Sequence, residues 1–372
     1  MLIKYFFIIY CLISFSNGKE IKVLNENLDK INEIRTNLKI DNLKFDFNLS
    51  KIALQHSKYQ VENNIISHLQ ENNLSKNFIG KNLKDRFLYL NKNKISEKYK
   101  VNEIITISEN PLNNIDNFIN SVYHRFKIIN PIYQYCGIGI EKDNMTNNYL
   151  TTINFLSKNY DSNKTIFISY PYDNQENIPI AFNSDLEIPD PIKEYSIVGY
   201  PLTIIMDKSF EIYKIDLIEK KFNEDVKGKF LTFKEDNELN ENEYVFIPLK
   251  KLKFDSTYNY KIYFKNIFNG KKFIKNIIFK TEKENLLILK NNIDNILRIE
   301  KNSINHFFFE RKQSNFIKNI SIIGNFDKQT LPNIYFTNER LTIEVPNILG
   351  VGRLYIEDIN ENKYEYKIFI NN

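Results

Sequence analysis

The chain has no tryptophan, two cysteines, four histidines, ten glycines and ten prolines in 372 residues. Each scarcity excludes something. Once the first eighteen residues are set aside as a leader, Cys136 stands alone, so no intramolecular disulfide is expected and the fold must rely on its cores. So few glycines leave little backbone to wrap a phosphate, and neither a phosphate-binding glycine loop nor a dinucleotide fingerprint occurs. HExxH and GxSxG are absent as well. No long Lys/Arg block is present and the formal net charge of +5 is mild, so no nucleic acid or anionic membrane is expected as a partner. After the leader no stretch reaches about 18 consecutive apolar residues, so no transmembrane segment is expected in the mature chain.

What is present is apolar and aromatic mass, 42% and 14% of residues, enough for sizeable cores. The length predicts two or three domains. Lys4 opens the chain, residues 5–15 form an apolar run, and Ser16-Asn17-Gly18 supplies small residues for a cut. That is the pattern of a signal peptide over residues 1–18, which places the mature chain outside the cell or on its surface. Cys11 follows Tyr10, a poor lipidation context.

Leu28, Ile31, Ile34 and Leu38 keep helical spacing. A second helix is expected over 48–63, where Leu49, Ile52, Ala53, His56 and Tyr59 share a face; a histidine on such a stripe reads first as a hydrogen-bonded core residue. His68 falls in a polar run, Gly80 and Asp85-Arg86 precede another helical piece, and Glu103 sits in VNEIIT. Ile115, Phe118, Ile119, Val122 and Phe126 predict one further helix, with His124 roughly opposite its buried stripe and Asn130-Pro131 ending it. Gly137-Ile138-Gly139 reads as an extended segment and Cys136 as a buried, inert thiol. Residues 149–156 read as a closing strand and 159–164 as a polar linker. From 165 onward the text turns to strand-like runs, with Asn269-Gly270 as a two-residue hairpin turn. A third, small β domain is expected from 284.

The order of these short motifs carries a resemblance. Ala53 with His56-Ser57, Ser67-His68, Gly80 with Asp85-Arg86, Glu103, Ser121 with His124-Arg125, Asn130-Pro131 and Gly137/Gly139 together resemble the bacterial CAP domain of the cysteine-rich secretory and pathogenesis-related superfamily. Asn102-Glu103-Ile104 departs from the family's Gly-Glu-Asn, and Phe118 stands where many members carry Trp. The resemblance implies an α+β chain: an N-terminal α/β/α-sandwich CAP domain (19–158), then an immunoglobulin-like β-sandwich (165–283) and a small C-terminal β domain (284–372). It implies a cleft for a ligand or partner (lipid-like molecule, peptide or protein) lined by His68, Glu103, His124, Ser121 and His56, with no catalytic residue and no required cofactor. Some members bind a divalent ion, which would place zinc on His68, Glu103 and His124; Ser121 offers no charge where others carry an acid. Arg125 reads as a structural partner of Asp85, Glu109 or a backbone carbonyl, and Asp85-Arg86 as a fold-holding pair. The main rival is a metal-dependent, peptidase-like hydrolase using His68, Glu103 and His124. A second rival is an adhesin acting through the β domains.

Overall fold

The computed structural model describes residues 18–90, 99–108, 110–146, 148–158, 166–283, 287–289, 296–309, 317–328, 331–337, 340–358, 361 and 363–371. The expected leader, Gly18 apart, and the linker at 159–164 lie outside the described residues. The chain divides into two compact units, Met1–Ile119 with Tyr123–Ile168, and Asn120–Val122 with Ser169–Asn372.

The first unit is built on a four-stranded sheet. Its helices are α1 (Gly18–Asn37), α2 (Phe47–Asn63), α3 (Leu83–Leu90), α4 (Asn114–Asn120) and α5 (Val122–Ile129). The strands β1 (Lys44–Phe45), β2 (Tyr99–Ser108), β3 (Tyr135–Lys142) and β4 (Tyr149–Lys158) pair in the order β1-β3-β4-β2. Strand β4 is buried on both faces from Leu150 to Ser157, which requires cover on each side. Thr152 meets Ser57 and Gln60 of α2, whereas Thr151 accepts from Asn114 of α4. Helices therefore flank the sheet, as an α/β/α sandwich requires.

Asp46 caps α2 by accepting the Leu49 N–H at 3.0 Å, and Asn64 ends it in the left-handed region. The helix lies directly on β3 because Gly137 and Gly139 leave room: a Cβ at Gly139 would sit 2.0 Å from the Leu54 nitrogen. The single helix expected around Phe118 is two, α4 and α5, interrupted at Ser121. Its apolar stripe is buried all the same, at Ile115, Phe118, Ile119, Val122 and Phe126.

The second unit is all β. Strands β5 (Phe167–Tyr170), β6 (Gln175–Ile178), β7 (Ala181–Asn183), β8 (Ile197–Gly199), β9 (Leu202–Met206), β10 (Phe210–Glu219), β11 (Glu224–Val226), β12 (Gly228–Leu231), β13 (Glu243–Pro248), β14 (Thr257–Asn266) and β15 (Lys272–Thr281) come first. They form sheets ordered β11-β10-β14-β15-β6 and β12-β13-β9-β5, with β7 and β8 as a separate pair. Phe246 of β13 meets Tyr260 of β14 edge-on at 5.8 Å, joining the two inner faces. Strands β16 (Leu287–Leu289), β17 (Ile296–Glu300), β18 (Ser303–Phe309), β19 (Ile317–Phe326), β20 (Asn333–Thr337), β21 (Arg340–Val345), β22 (Gly350–Asp358) and β23 (Lys363–Asn371) follow. These build a second pair of sheets, β16-β18-β21-β20 and β17-β23-β22-β19, around a common core that includes Leu341, Ile343, Leu354 and Ile368.

The hairpin between β14 and β15 is present, but its turn is not the two-residue Asn269-Gly270. The Asn266 N–H donates to the Lys271 carbonyl, so the loop is residues 267–270, with Gly270 at φ +69° closing it. The Asn266 side chain accepts the N–H groups of Phe268 and Asn269 and so favours the longer turn.

Candidate functional site

Glu103 sits in the middle of β2, opposite Asn154 of β4, on the side of the sheet that α2 covers. Its side chain is 3% exposed. A carboxylate so placed needs partners, and the local chain supplies them from three directions. Arg86 on α3, itself fully buried, brings Nη2 to 2.8 Å from both Glu103 oxygens, while Nη1 donates to the His68 carbonyl at 3.1 Å. His68, on the loop after α2, places Nδ1 3.1 Å from Glu103 Oε1. His56 on α2 places Nε2 3.6 Å from the same oxygen. In the amide orientation that satisfies both neighbours, Asn154 donates to Glu103 Oε2 at 3.0 Å and accepts the Ala53 N–H at 3.3 Å.

The protonation states follow from this geometry. Ile79 N–H donates to Gln70 Oε1 at 2.9 Å, which fixes that amide and turns its NH2 toward His56 Nδ1 at 3.1 Å. Nδ1 of His56 is then the acceptor, so Nε2 carries the proton and donates to the Ser67 carbonyl at 2.9 Å. Burial pushes the His56 pKa down to about 4, with Arg86 adding to the effect against the pull of Glu103. Burial would raise the Glu103 carboxyl, but the His68 hydrogen bond and the charges of His56 and Arg86 prevail and hold it below the usual carboxylate range. At neutral pH the centre is an ionised Glu103 on Arg86, with His56 neutral.

His68 differs from the other members because its side chain is 58% exposed. With Nδ1–H turned to Glu103, its Nε2 lone pair faces outward. Ile65, Ile66, Leu69 and Leu74, on the same loop, are exposed as well, Ile66 at 61% and Leu74 at 92%. The irregular loop that carries them is tied from inside. Ser67 N–H donates to Gln60, Gln70 N–H to the Lys81 carbonyl, Asn72 N–H to the Tyr59 hydroxyl and Asn77 Nδ2 to Glu62. Gly80, at φ +148°, lets the loop close over the start of α3.

Of the residues singled out from sequence, His68, Glu103 and His56 come together. His124 packs its ring against Phe118 at 5.4 Å, and burial, with the nearby charges of His68 and Lys127, lowers its pKa to about 3. Ser121 donates to Glu187 Oε1 at 2.6 Å, with Val122 N–H on the other oxygen at 2.8 Å, and so serves a contact in the second unit. Arg125 donates through Nε to the Ile119 carbonyl at 2.6 Å. Arg86 pairs with Glu103, not with its neighbour Asp85. Gln70, Gln60 and Asn154 were not singled out; an asparagine within the apolar run 149–156 was the one available sign. Arg35 was missed too. Fully buried, it donates to the carbonyls of Asp41, Ile128, Asn130 and Tyr133, clamping the turn at Pro131.

The zinc set His68, Glu103 and His124 does not fit this arrangement. The second imidazole on Glu103 is that of His56, whose facing nitrogen is protonated, and a guanidinium already holds both carboxylate oxygens. Among the described residues no group of three or more His, Cys, Asp or Glu could hold a metal ion. A peptidase-like mechanism with metal-activated water has no support in these residues. Likewise among the described residues, no helix is long and apolar enough to cross a membrane.

A family model, that of the cysteine-rich secretory protein family (CAP), matches residues 28–155. No curated protein matches. Among solved structures, an outer surface protein from Borrelia burgdorferi is 20% identical, covering 38% of this chain and 94% of its own, with a TM-score of 0.31. An extracellular protein containing an SCP domain from Bacillus anthracis is 24% identical over 37% of this chain and 41% of its own, also at 0.31. The fibronectin(III)-like modules of a Clostridium thermocellum protein are 8% identical over 55% of this chain and 94% of theirs, at 0.19. With the family model spanning the sheet, α2, His56, His68, Arg86 and Glu103, residues 28–155 are a CAP domain, followed in the same chain by β domains.

Proposed function

We propose that the protein is exported and that its CAP domain acts as a non-catalytic binding module, contacting its ligand through the loop 64–80 with His68 as the polar centre. Export is supported by the leader pattern of residues 1–18 and by the secretory family that residues 28–155 match. The observation that carries the binding surface is the contrast within one hydrogen-bonded group. Glu103, Arg86 and His56 are spent on each other, whereas His68 is oriented by them and left facing solvent. The same tied loop also leaves Ile66 and Leu69 exposed. The ligand class is an amphipathic molecule or peptide, with an apolar body for Ile66 and Leu69 and a hydroxyl or N–H donor for His68 Nε2. The β domains serve as spacers in this reading, with domain boundaries near 158–165 and 284.

Thermal shift against a panel of hydroxylated amphiphiles and apolar peptides tests the surface. A ligand present at 100 times its Kd stabilises the folded state by about 2.7 kcal/mol. The expected outcome is a raised midpoint for the wild type that is lost in His68→Ala and in Ile66→Ser/Leu69→Ser. A panel that moves nothing, or variants that respond as the wild type does, would remove the proposal.

A further inference from the structure

Strand β14 is the middle of its sheet, paired with β10 on one side and β15 on the other. Its positions Tyr260 and Ile262 are fully buried, so Lys261 and Tyr263 stand on the opposite, outer face. The register carries that face onto both neighbours, with Tyr263 opposite Lys214 of β10 and Ile274 of β15. A bulge interrupts β10 between Ile212 and Lys214. Two successive residues, Tyr213 and Lys214, are therefore exposed, where strict alternation would turn one of them inward. The Tyr213 ring, 42% exposed, stands 6.3 Å from that of Tyr263, and Ile274 beyond it is 55% exposed. These three side chains make an apolar row that spans about 10 Å from its first strand to its third. Ammonium groups lie along it. Lys214 and Lys261 place Nζ over the Tyr263 ring, 5.1 and 5.7 Å from its centroid, and Lys272 lies over Tyr213 at 5.8 Å. The two carboxylates of β10 on this face are already paired, Asp216 with Lys214 at 2.8 Å and Glu211 with Lys265 and Lys234 at 3.0 and 3.6 Å. Among the described residues Lys261 and Lys272 have no carboxylate partner.

We propose that this outer face binds an acidic polysaccharide, with sugar rings stacked on Tyr213 and Tyr263 and their carboxylate or sulfate groups met by Lys261 and Lys272. A flat aromatic row with a cation beside each ring suits a ligand whose rings are apolar on one face and anionic at the rim. The charge is complementary, because the acids nearby already hold lysines of their own. A peptide would need a free strand edge or a pocket for its anchor side chains. Here β14 is paired on both sides, and the row lies open on the sheet face. The face belongs to the second unit and is independent of the loop 64–80. With it, the first β domain is more than a spacer.

Affinity electrophoresis of the full chain tests this, with polygalacturonate as the carboxylated probe and dextran sulfate as the sulfated one. Neutral dextran and polyglutamate serve as controls, the first with sugar rings and no charge, the second with charge and no sugar rings. The wild type is expected to be retarded by at least one acidic polysaccharide, and which one identifies the anion. Tyr213→Ala/Tyr263→Ala should weaken that binding about tenfold or more, the usual effect of truncating an aromatic anchor. Lys261→Ala/Lys272→Ala should weaken it too and reduce its dependence on salt. A wild type that binds neither acidic polysaccharide, or that binds dextran or polyglutamate as tightly, overturns the proposal. So does a folded Tyr213→Ala/Tyr263→Ala variant with wild-type affinity, since charge alone would then account for the binding. Should that variant not fold, Tyr213→Ala, at the exposed bulge, decides in the same way.

Discussion

Removing the Arg86 guanidinium leaves Glu103 ionised and almost fully buried, with only imidazoles and one amide for company. Breaking a buried ion pair from one side costs about 3–5 kcal/mol, far more than losing an exposed pair. Urea denaturation of Arg86→Met should show a loss of that size in the CAP domain. The double variant Arg86→Met/Glu103→Leu should lose less than Arg86→Met alone, because no charge is then stranded. His68→Ala should cost less than about 1 kcal/mol, since its ring is solvent-facing and its hydrogen bond to Glu103 is half in water. A ranking in which His68→Ala costs more than Arg86→Met would contradict the division of labour argued for the site. At this scale the sequence was partly legible. Glu103, His68 and His56 could be singled out from the order of short motifs. The partner of Arg86 could not, because Asp85 is adjacent in sequence yet points elsewhere, and Glu103 is reached only after the sheet has formed. His124 lies opposite the buried stripe, half-buried, where the wheel placed it, although the chain breaks at Ser121.

The loop 64–80 and the packing of α2 on β3 test the elements. The loop has no regular secondary structure over most of its length, yet the amides of Ser67, Gln70 and Asn72 donate to Gln60, Lys81 and Tyr59 outside it, and that of Ile79 to the Gln70 side chain within it. Native-state hydrogen exchange should find these four amides protected well beyond what an irregular surface loop shows, and exchange of all four at loop-like rates would mean that the displayed face is not preformed. Gly139→Ala should destabilise the domain by about 1–3 kcal/mol or more, because the new methyl would fall 2.0 Å from the Leu54 backbone nitrogen and helix and strand must separate. The glycine pair was visible in the sequence as a segment with little bulk, and its purpose only in the structure. The β14–β15 hairpin teaches the complementary lesson. Asn269-Gly270 did mark a turn, but the side chain of Asn266, three residues upstream, decided its length.

Across the whole molecule the two units should respond differently to acid. His56 and His124 have their pKa values lowered from 6.5 to about 4 and about 3, so the unfolded chain binds their protons more readily than the folded one. A base held neutral in this way contributes its full stability above pH 6.5, and the contribution falls as pH drops toward the folded value. Each group should remove about 1.4 kcal/mol per pH unit, and the two together about 2.7, between roughly pH 6 and pH 4. Glu103, whose carboxyl is also depressed, adds to the loss at lower pH. All three groups lie in the first unit, while His306, on β18, is the only histidine of the second. Cys136 makes the difference measurable. It is buried on β3 and its thiol is pushed up to about 12, chiefly by burial, so it should react with a disulfide reagent only when the first unit opens. Labelling of the Cys136 peptide, followed by mass spectrometry across a urea series, therefore reports that unit alone, while tyrosine emission reports the whole chain, which has no tryptophan to interfere. The labelling midpoint should move to lower urea between about pH 7 and pH 5 by more than the main tyrosine transition does. Equal shifts in the two signals would show that the acid sensitivity is not seated in the histidines of the CAP domain.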